Sequence, residues 1–319
     1  MGLRLTVDGD KFDDRVASVA AAFPGLIPVI KGNGYGFGRP LLFPIAARVS
    51  DTIAVGTVYE AVGAPADRRL MVLTPHVAAL PENLAAQAML TVGSLAHVDA
   101  LTRAPWRGEV VVKLESSMHR YGVSADHLDE LASAVVAAGL TCAGYALHLP
   151  LDGSDEQRLA EIEAWLPKLD DAATLSVSHL GASTYAQLCA AHPDRRFRIR
   201  LGTQLWHGDK QHVRLSADVL AVRTIRSDES AGYRRVTVPA DGSLVMIAAG
   251  SAHGVQPLDD GRSPFHFEQR RLTLLEPPHM HTSMVFVPAG ESCPSVGDHV
   301  DVQRPLTTTN VDEVAWIDD

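Results

Sequence analysis

Along most of the chain the apolar positions alternate between two rhythms. Short apolar, β-branched runs read as buried strands: LIPVI (26–30), TIAVG (52–56), LMVLT (70–74), MLTV (89–92), VVVKL (110–114), TCAGYAL (141–147), TLSVS (174–178) and FRIRL (197–201). Between them lie DDRVASVAAAF, PLLFPIAARV, LPENLAAQA, LAHVDALTRA, ADHLDELASAVVAAG, DEQRLAEIEAWLPKL and STYAQLCAAH. Several of these place apolar residues at i, i+3, i+4 and i+7, the spacing of helices with one buried face. Repeated βα units predict a parallel sheet, and eight strands is the number for a closed (β/α)8 barrel of the TIM type. An open doubly wound sheet is the competing reading, but no G-x-G-x-x-G follows a strand with a ribose-binding acid behind it. LRLTV (3–7) alternates and reads as an additional first strand.

From about residue 213 the texture changes. LSADVLAVRTIRS, YRRVTVPADGSLVMIAAG, FEQRRLTLLEP, SMVFVPAG and GDHVDVQRPL are short strands broken by Pro/Gly turns, and no long helix remains. The predicted α/β architecture is therefore a barrel over 1–212 followed by a smaller C-terminal β-domain over 213–319.

A chain of 319 residues exceeds one small core, in keeping with that division. Its net charge of −10 and pI near 5.7 argue against a nucleic-acid partner, which needs a basic face, but leave room for a small anion in a local site. The three cysteines, Cys142, Cys189 and Cys293, show no C-x-x-C spacing and fit neither a disulfide framework nor a zinc site. A reducing cytoplasm is the expected compartment. The N-terminal MGLRLTVDGD loosely fits an acylation pattern, but the strand reading of LRLTV is the stronger. No apolar run is long enough for a membrane span.

In a barrel, chemistry belongs at the C-terminal strand ends. Lys31 follows the first run in PVIKGNGYGFG, in a chain whose cations are mostly arginine. Lys113 closes the fifth run and leads into ESSMHRYG. His148 follows the sixth, SHLGAS (178–183) the seventh, and RLGT (200–203) the eighth. A desolvated lysine can form a Schiff base, and Gly-rich turns at helix starts offer backbone N–H groups to phosphate. The set suits a phosphorylated aldehyde cofactor. The spacing of HMH (279–281) lacks a carboxylate or thiolate partner in pattern, and no metal is expected.

These motifs, in this order, resemble the alanine racemases, pyridoxal 5'-phosphate (PLP) enzymes built from a barrel and a β-domain. PVIKGNGYGFG is similar to V-V-K-A-N-A-Y-G-H-G, VKLESSMHRYG to K-x-D-T-G-M-x-R-x-G, GYALHLP to G-x-x-T-H-F, SHLGAS to H-x-A-N-S, and RIRLGTQLW to V-R-x-G-I-x-x-Y. HMHTSMV lies where the family has C-M-D-Q-x-M-V. The resemblance implies that Lys31 is the Schiff-base lysine and one acid/base. It implies that Tyr35, Ser183, Gly202 and Thr203 hold the phosphate, and that Arg200 faces the pyridine nitrogen. Arg120 approaches the cofactor's phenolic oxygen and the substrate carboxylate. Lys113 supports Arg120, in the family often as a carbamate, and His148 and His179 pack around the ring. Arg200 disfavours protonation of the pyridine, which favours racemisation over decarboxylation. The resemblance also implies a small amino-acid substrate and a homodimer in which each β-domain serves the partner's barrel.

The pattern breaks away from the cofactor. In AAGSAHGVQP (248–257), Ser251 stands where the family has its second catalytic base, a tyrosine, and His253 takes the place of the following acid. His281 replaces the Asp that follows Met280, Ala182 replaces the Asn before Ser183, and Glu115-Ser116-Ser117 replaces D-T-G. A two-base racemase needs a proton carrier on each face, and a histidine suits that task near neutral pH. His253 is the leading candidate, since two residues apart in an extended loop it would point as Ser251 does, with His281 the runner-up. The rival readings are a PLP-binding protein without racemase turnover, serving cofactor handling or regulation, and a one-base PLP enzyme for elimination, transamination or aldol cleavage.

Overall fold

In the computed structural model, which describes residues 2–104, 106–208 and 210–317, each of the eight apolar runs forms a strand. Counting β1 as Leu3–Asp8, they are β2 (Leu26–Pro28), β3 (Thr52–Val55), β4 (Arg69–Val72), β5 (Ala88–Val92), β6 (Glu109–Leu114), β7 (Thr141–Leu147), β8 (Thr174–Ser178) and β9 (Arg196–Leu201). They make one parallel sheet in the order β2-β9-β8-β7-β6-β5-β4-β3. Its two ends meet: Val29 bridges Ala54, and the Ile30 N–H donates to the Ala54 carbonyl at 2.7 Å. The sheet thereby closes into a barrel and no edge stays open. Ile27, Val29, Ala54, Met71, Met89, Val111 and Ala146 pack together as the interior layer.

The helices are α1 (Gly9–Ala22), α2 (Arg39–Val49), α3 (Leu95–Arg103), α4 (Leu128–Ala137), α5 (Asp155–Trp165), α6 (Ala182–Ala191) and the short α7 (Thr203–His207). α5 starts with a full capping box between Ser154 and Gln157. The stretch LPENLAAQA, expected among the helical segments, is instead a turn-rich connection from β4 to β5. Leu80 and Leu84 are only half-buried there, and a segment this short does not hold a helix without an apolar face to dock.

The chain falls into two compact units. The barrel unit comprises Asp14–Gly34 and Gly38–Gly208. The β-unit comprises the residues up to Asp13, Tyr35–Phe37 and the chain beyond Gly208. The sequence predicted one barrel domain from 1 to 212. The N-terminal strand departs from that: β1 pairs antiparallel with β10 (Val213–Ile225) and parallel with the strand Glu313–Ile317. The reason lies in its pattern. β1 buries Leu3, Leu5 and Val7 and half-exposes the residues between, whereas barrel strands such as β3, β5 and β8 bury consecutive positions. Such alternation suits a sheet with one covered face.

The β-unit's main sheet has nine strands, with a path that includes β10, Gly242–Ile247 and Ser283–Pro288. Phe12 is buried against Phe37 and Trp316, at centroid distances of 5.0 and 5.2 Å, which ties Tyr35–Phe37 to this unit. Among the described residues, no helix is long and apolar enough to cross a membrane, and no group of three His, Cys, Asp or Glu is placed to hold a metal.

Candidate active site

Seven of the sequence-predicted residues in the barrel unit collect at the C-terminal ends of its strands; Ser183 and Thr203 follow them at the starts of α6 and α7. Lys31 comes directly after the Val29–Ile30 closure and is exposed. The loop behind it is tight: the Gly34 N–H donates to the Lys31 carbonyl at 3.1 Å, and the Gly38 N–H to the Asn33 carbonyl at 3.2 Å. Gly34 has a φ of +65°, and a Cβ there would lie 2.5 Å from the Arg39 nitrogen, so glycine is required. Just past β3, a Cβ on Gly56 would come within 3.2 Å of the Lys31 Cβ. The bare glycine leaves the lysine stem its space.

Arg200, in β9, is buried. One terminal nitrogen donates to the Ser176 carbonyl at 2.7 Å and to Ser176 Oγ at 2.5 Å, and the other to the Leu147 carbonyl at 2.8 Å. These bonds to β7 and β8 fix the plane of the guanidinium. Burial lowers its pKa to about 10, so it stays charged at neutral pH, and no carboxylate is among the charges that act on it.

Around this cation the other bases are held neutral. His148 Nδ1 lies 2.9 Å from Ser178 Oγ, and that hydroxyl also accepts the Leu149 N–H at 3.3 Å. Burial, then Arg200 and Lys113, push the His148 pKa down to about 2. His179 packs on it at 4.9 Å, with a φ of +63°, and burial followed by Arg200 lowers its pKa to about 4. Lys113 is buried in β6, and its pKa falls to about 6, first by burial and then by the Arg200 and Arg120 charges. Arg120 is exposed, with its guanidinium carbon 4.8 Å from the centre of the Tyr121 ring.

Backbone donors complete the set. α6 begins at Ala182, with Ser183 exposed in its first turn, and Gly202 and Thr203 lead into α7. The first N–H groups of a helix have no partner within it and favour an anion.

Ser176 and Ser178 are not among the sequence-predicted residues, although both hold site residues. The signal was there: serines two apart in the apolar run TLSVS are buried, and a buried hydroxyl needs a partner.

The remaining sequence-predicted residues lie in the β-unit. Tyr35 is buried in the Tyr35–Phe37 segment, with a φ of +57°. Ser251–His253 form one 3-10 turn. The Ser251 and Ala252 N–H groups donate to the His279 and Met280 carbonyls at 2.7 and 2.9 Å, which joins this turn to the HMH loop. Ser251, Met280 and His281 are exposed. His253 is buried: Nδ1 accepts the Gly250 N–H at 3.0 Å, and Nε2 faces Asp312 at 3.1 Å. Asp312 in turn accepts the Leu3 N–H at 2.8 Å. The expectation that His253 points as Ser251 does assumed an extended loop. In a 3-10 turn, with three residues per turn, side chains two apart diverge. His281, not His253, shares the exposed surface with Ser251, and its ring stands edge-on to His253 at 6.0 Å.

The sequence matches the family model for the alanine racemase N-terminal domain over residues 7–209. The chain belongs to the alanine racemase family. No protein of curated function matches the sequence. Among solved structures, the alanine racemase of Bartonella henselae with covalently bound pyridoxal phosphate is 18% identical, with 99% of this chain and 100% of that one covered and a TM-score of 0.77. The biosynthetic alanine racemase of Pseudomonas aeruginosa is 19% identical over 99% of each chain, with a TM-score of 0.72. That of the D-cycloserine producer Streptomyces lavendulae is 18% identical, covering 100% and 98%, with a TM-score of 0.75. At these identities the likeness shows the alanine racemase fold. The expected barrel followed by a β-domain is thus the observed architecture.

Proposed function

We propose that this protein is a PLP-dependent amino-acid racemase or epimerase with a remodelled second base. The observation that carries the reading is the buried Arg200, fixed by three hydrogen bonds among neutral imidazoles, with Lys31 at the neighbouring strand end. The residues present fit PLP: an exposed primary amine, the first N–H groups of α6 and α7 for a phosphate, and a buried cation without a carboxylate among the charges that act on it.

PLP, when bound, supplies an aldehyde for amines and a ring that draws electrons from the substrate's Cα. Lys31 holds it and moves the Cα proton on one face. Ser183, Gly202 and Thr203 would hold the phosphate, a role that the family resemblance also implies for Tyr35. The charge of Arg200 would disfavour a proton on the pyridine nitrogen. Arg120 receives the substrate carboxylate. Lys113 supports it, and its neutral amine is the form that can take up carbon dioxide as a carbamate. His148 and His179 line the ring without adding charge. His281, beside Ser251, carries the proton of the other face, while His253 and Asp312 brace the turn. The family resemblance supports a homodimer in which this loop pair serves the partner's barrel. A fully active monomer in solution would rule that arrangement out.

The test is a panel of L- and D-amino acids in deuterated water. Exchange at Cα with inversion is expected for at least one amino acid. Lys31→Ala should abolish the covalent cofactor adduct. His281→Ala should slow exchange from one enantiomer by about a hundredfold, the usual contribution of a positioned acid/base, and leave the other enantiomer much less affected. Exchange without inversion would assign one-base chemistry. PLP uptake with no exchange would assign a cofactor-binding protein.

A further inference from the structure

One helix touches three of the loops that carry the proposed site, and it does so with one face. Asp155, Arg158, Glu161 and Trp165 of α5 are spaced by three, three and four residues, so they lie along a single stripe. Asp155 Oδ2 accepts the Gly181 N–H at 2.9 Å, immediately before the α6 start that carries Ser183. It also bonds Thr184 and, through Oδ1, Arg158 at 3.0 Å. Arg158 donates to the carbonyls of Pro150, at 3.0 Å, and Leu151, just after His148. Glu161 grips Ser117 at two points, accepting its N–H and its hydroxyl at 2.8 Å each. Trp165 Nε1 donates to the Glu115 carbonyl at 3.1 Å.

The loop that Glu161 grips runs from Lys113 to Arg120. Its ends are already pinned, because the Glu115 N–H donates to the Val123 carbonyl and the Val123 N–H to the Lys113 carbonyl, at 2.9 and 2.8 Å. Between these ends, Ser117 takes the place of the glycine in the family's D-T-G. Glycine has no hydroxyl to offer, so the second Glu161 bond is a property of this chain. Glu161 also favours the charged form of Lys113, against the burial and the arginines that oppose it.

We propose that α5 is the positioning element of the site and that its two carboxylates act on different ligands. Glu161 sets the loop that presents Arg120 to the substrate carboxylate. Asp155 sets the turn that presents the α6 N–H groups to the cofactor phosphate. Neither residue touches a reacting atom. The inference rests on the PLP reading above.

The test uses the PLP-loaded protein, with propionate as the carboxylate probe, titrated by its effect on the visible absorbance. Cofactor affinity is measured by dialysis, and amide hydrogen exchange is followed over 115–122 and 179–184. Glu161→Ala should speed exchange at Ser117 and weaken propionate about tenfold, the value of one or two charge-assisted hydrogen bonds, while PLP affinity stays within about twofold of the parent. Glu161→Gln, which keeps an acceptor, should fall between. Asp155→Asn should loosen 181–184 and weaken PLP about tenfold, with propionate affinity at saturating PLP close to the parent's. Equal weakening of both ligands by both variants, or parental propionate affinity in Glu161→Ala, would overturn the division of roles. Failure of the racemase reading looks different: the parent then exchanges no amino acid Cα proton, or exchanges it without inversion. Should the parent take up no PLP, that reading fails, and the exchange rates at Ser117 and Gly181 alone decide whether the carboxylates clamp these loops.

Discussion

His148 and His179 show how burial turns a titratable side chain into a neutral one. A free imidazole titrates at 6.5, whereas His148 in the fold titrates at about 2 and His179 at about 4. Below pH 6.5 the unfolded chain binds protons that the folded chain refuses, so protonation favours unfolding. The contribution is complete above 6.5 and is lost as the pH falls toward those folded values. The urea midpoint should therefore drop between pH 6.5 and 4, and His148→Gln should flatten the drop. An unchanged slope in that variant would show that other groups carry the acid sensitivity. The residue types of the barrel site were legible because each sits where an apolar run stops. The conduct of His253 was not legible: sequence proximity to Ser251 cannot say whether a loop is extended or coiled, and its bond to Asp312 spans 59 residues.

At the scale of elements, the paired loops 250–254 and 279–282 make the sharpest prediction. A Cβ on Gly250 would fall 2.3 Å from the His279 carbonyl and 2.6 Å from that of Met280. These are the carbonyls that the Ser251 and Ala252 N–H groups use. Gly250→Ala should force the two loops apart at a cost of about 1–3 kcal/mol. Denaturant titration measures that cost, and crosspeaks of Ser251 and His281 should shift together by NMR. Parental stability would mean that the loops relax without loss. The barrel strands are readable as elements because a parallel strand covered on both faces is a nearly continuous apolar run. The β4–β5 connection is no helix, because helical spacing yields one only when its apolar side finds a surface to cover.

For the whole molecule, the placement of β1 matters most. It pairs on one side with β10 and on the other with Glu313–Ile317, so it is interior to the nine-stranded sheet. Deleting residues 1–8 would leave two strands with open edges, and such edges aggregate. The truncated chain should be insoluble or lose its β-unit, read by gel filtration and circular dichroism; a soluble, fully folded truncation would show β1 to be dispensable. By itself the sequence determined the barrel, its eight strands and the lysine, arginine and imidazoles at their ends, because continuous burial and abrupt strand stops are written in local composition. Only the tertiary structure decided that the first strand joins the last unit, that α5 ties three loops with one face, and that His253 is buried while His281 is exposed. Those outcomes depend on contacts between residues far apart in the chain, and hydrophobic periodicity marks which face is buried without naming what covers it.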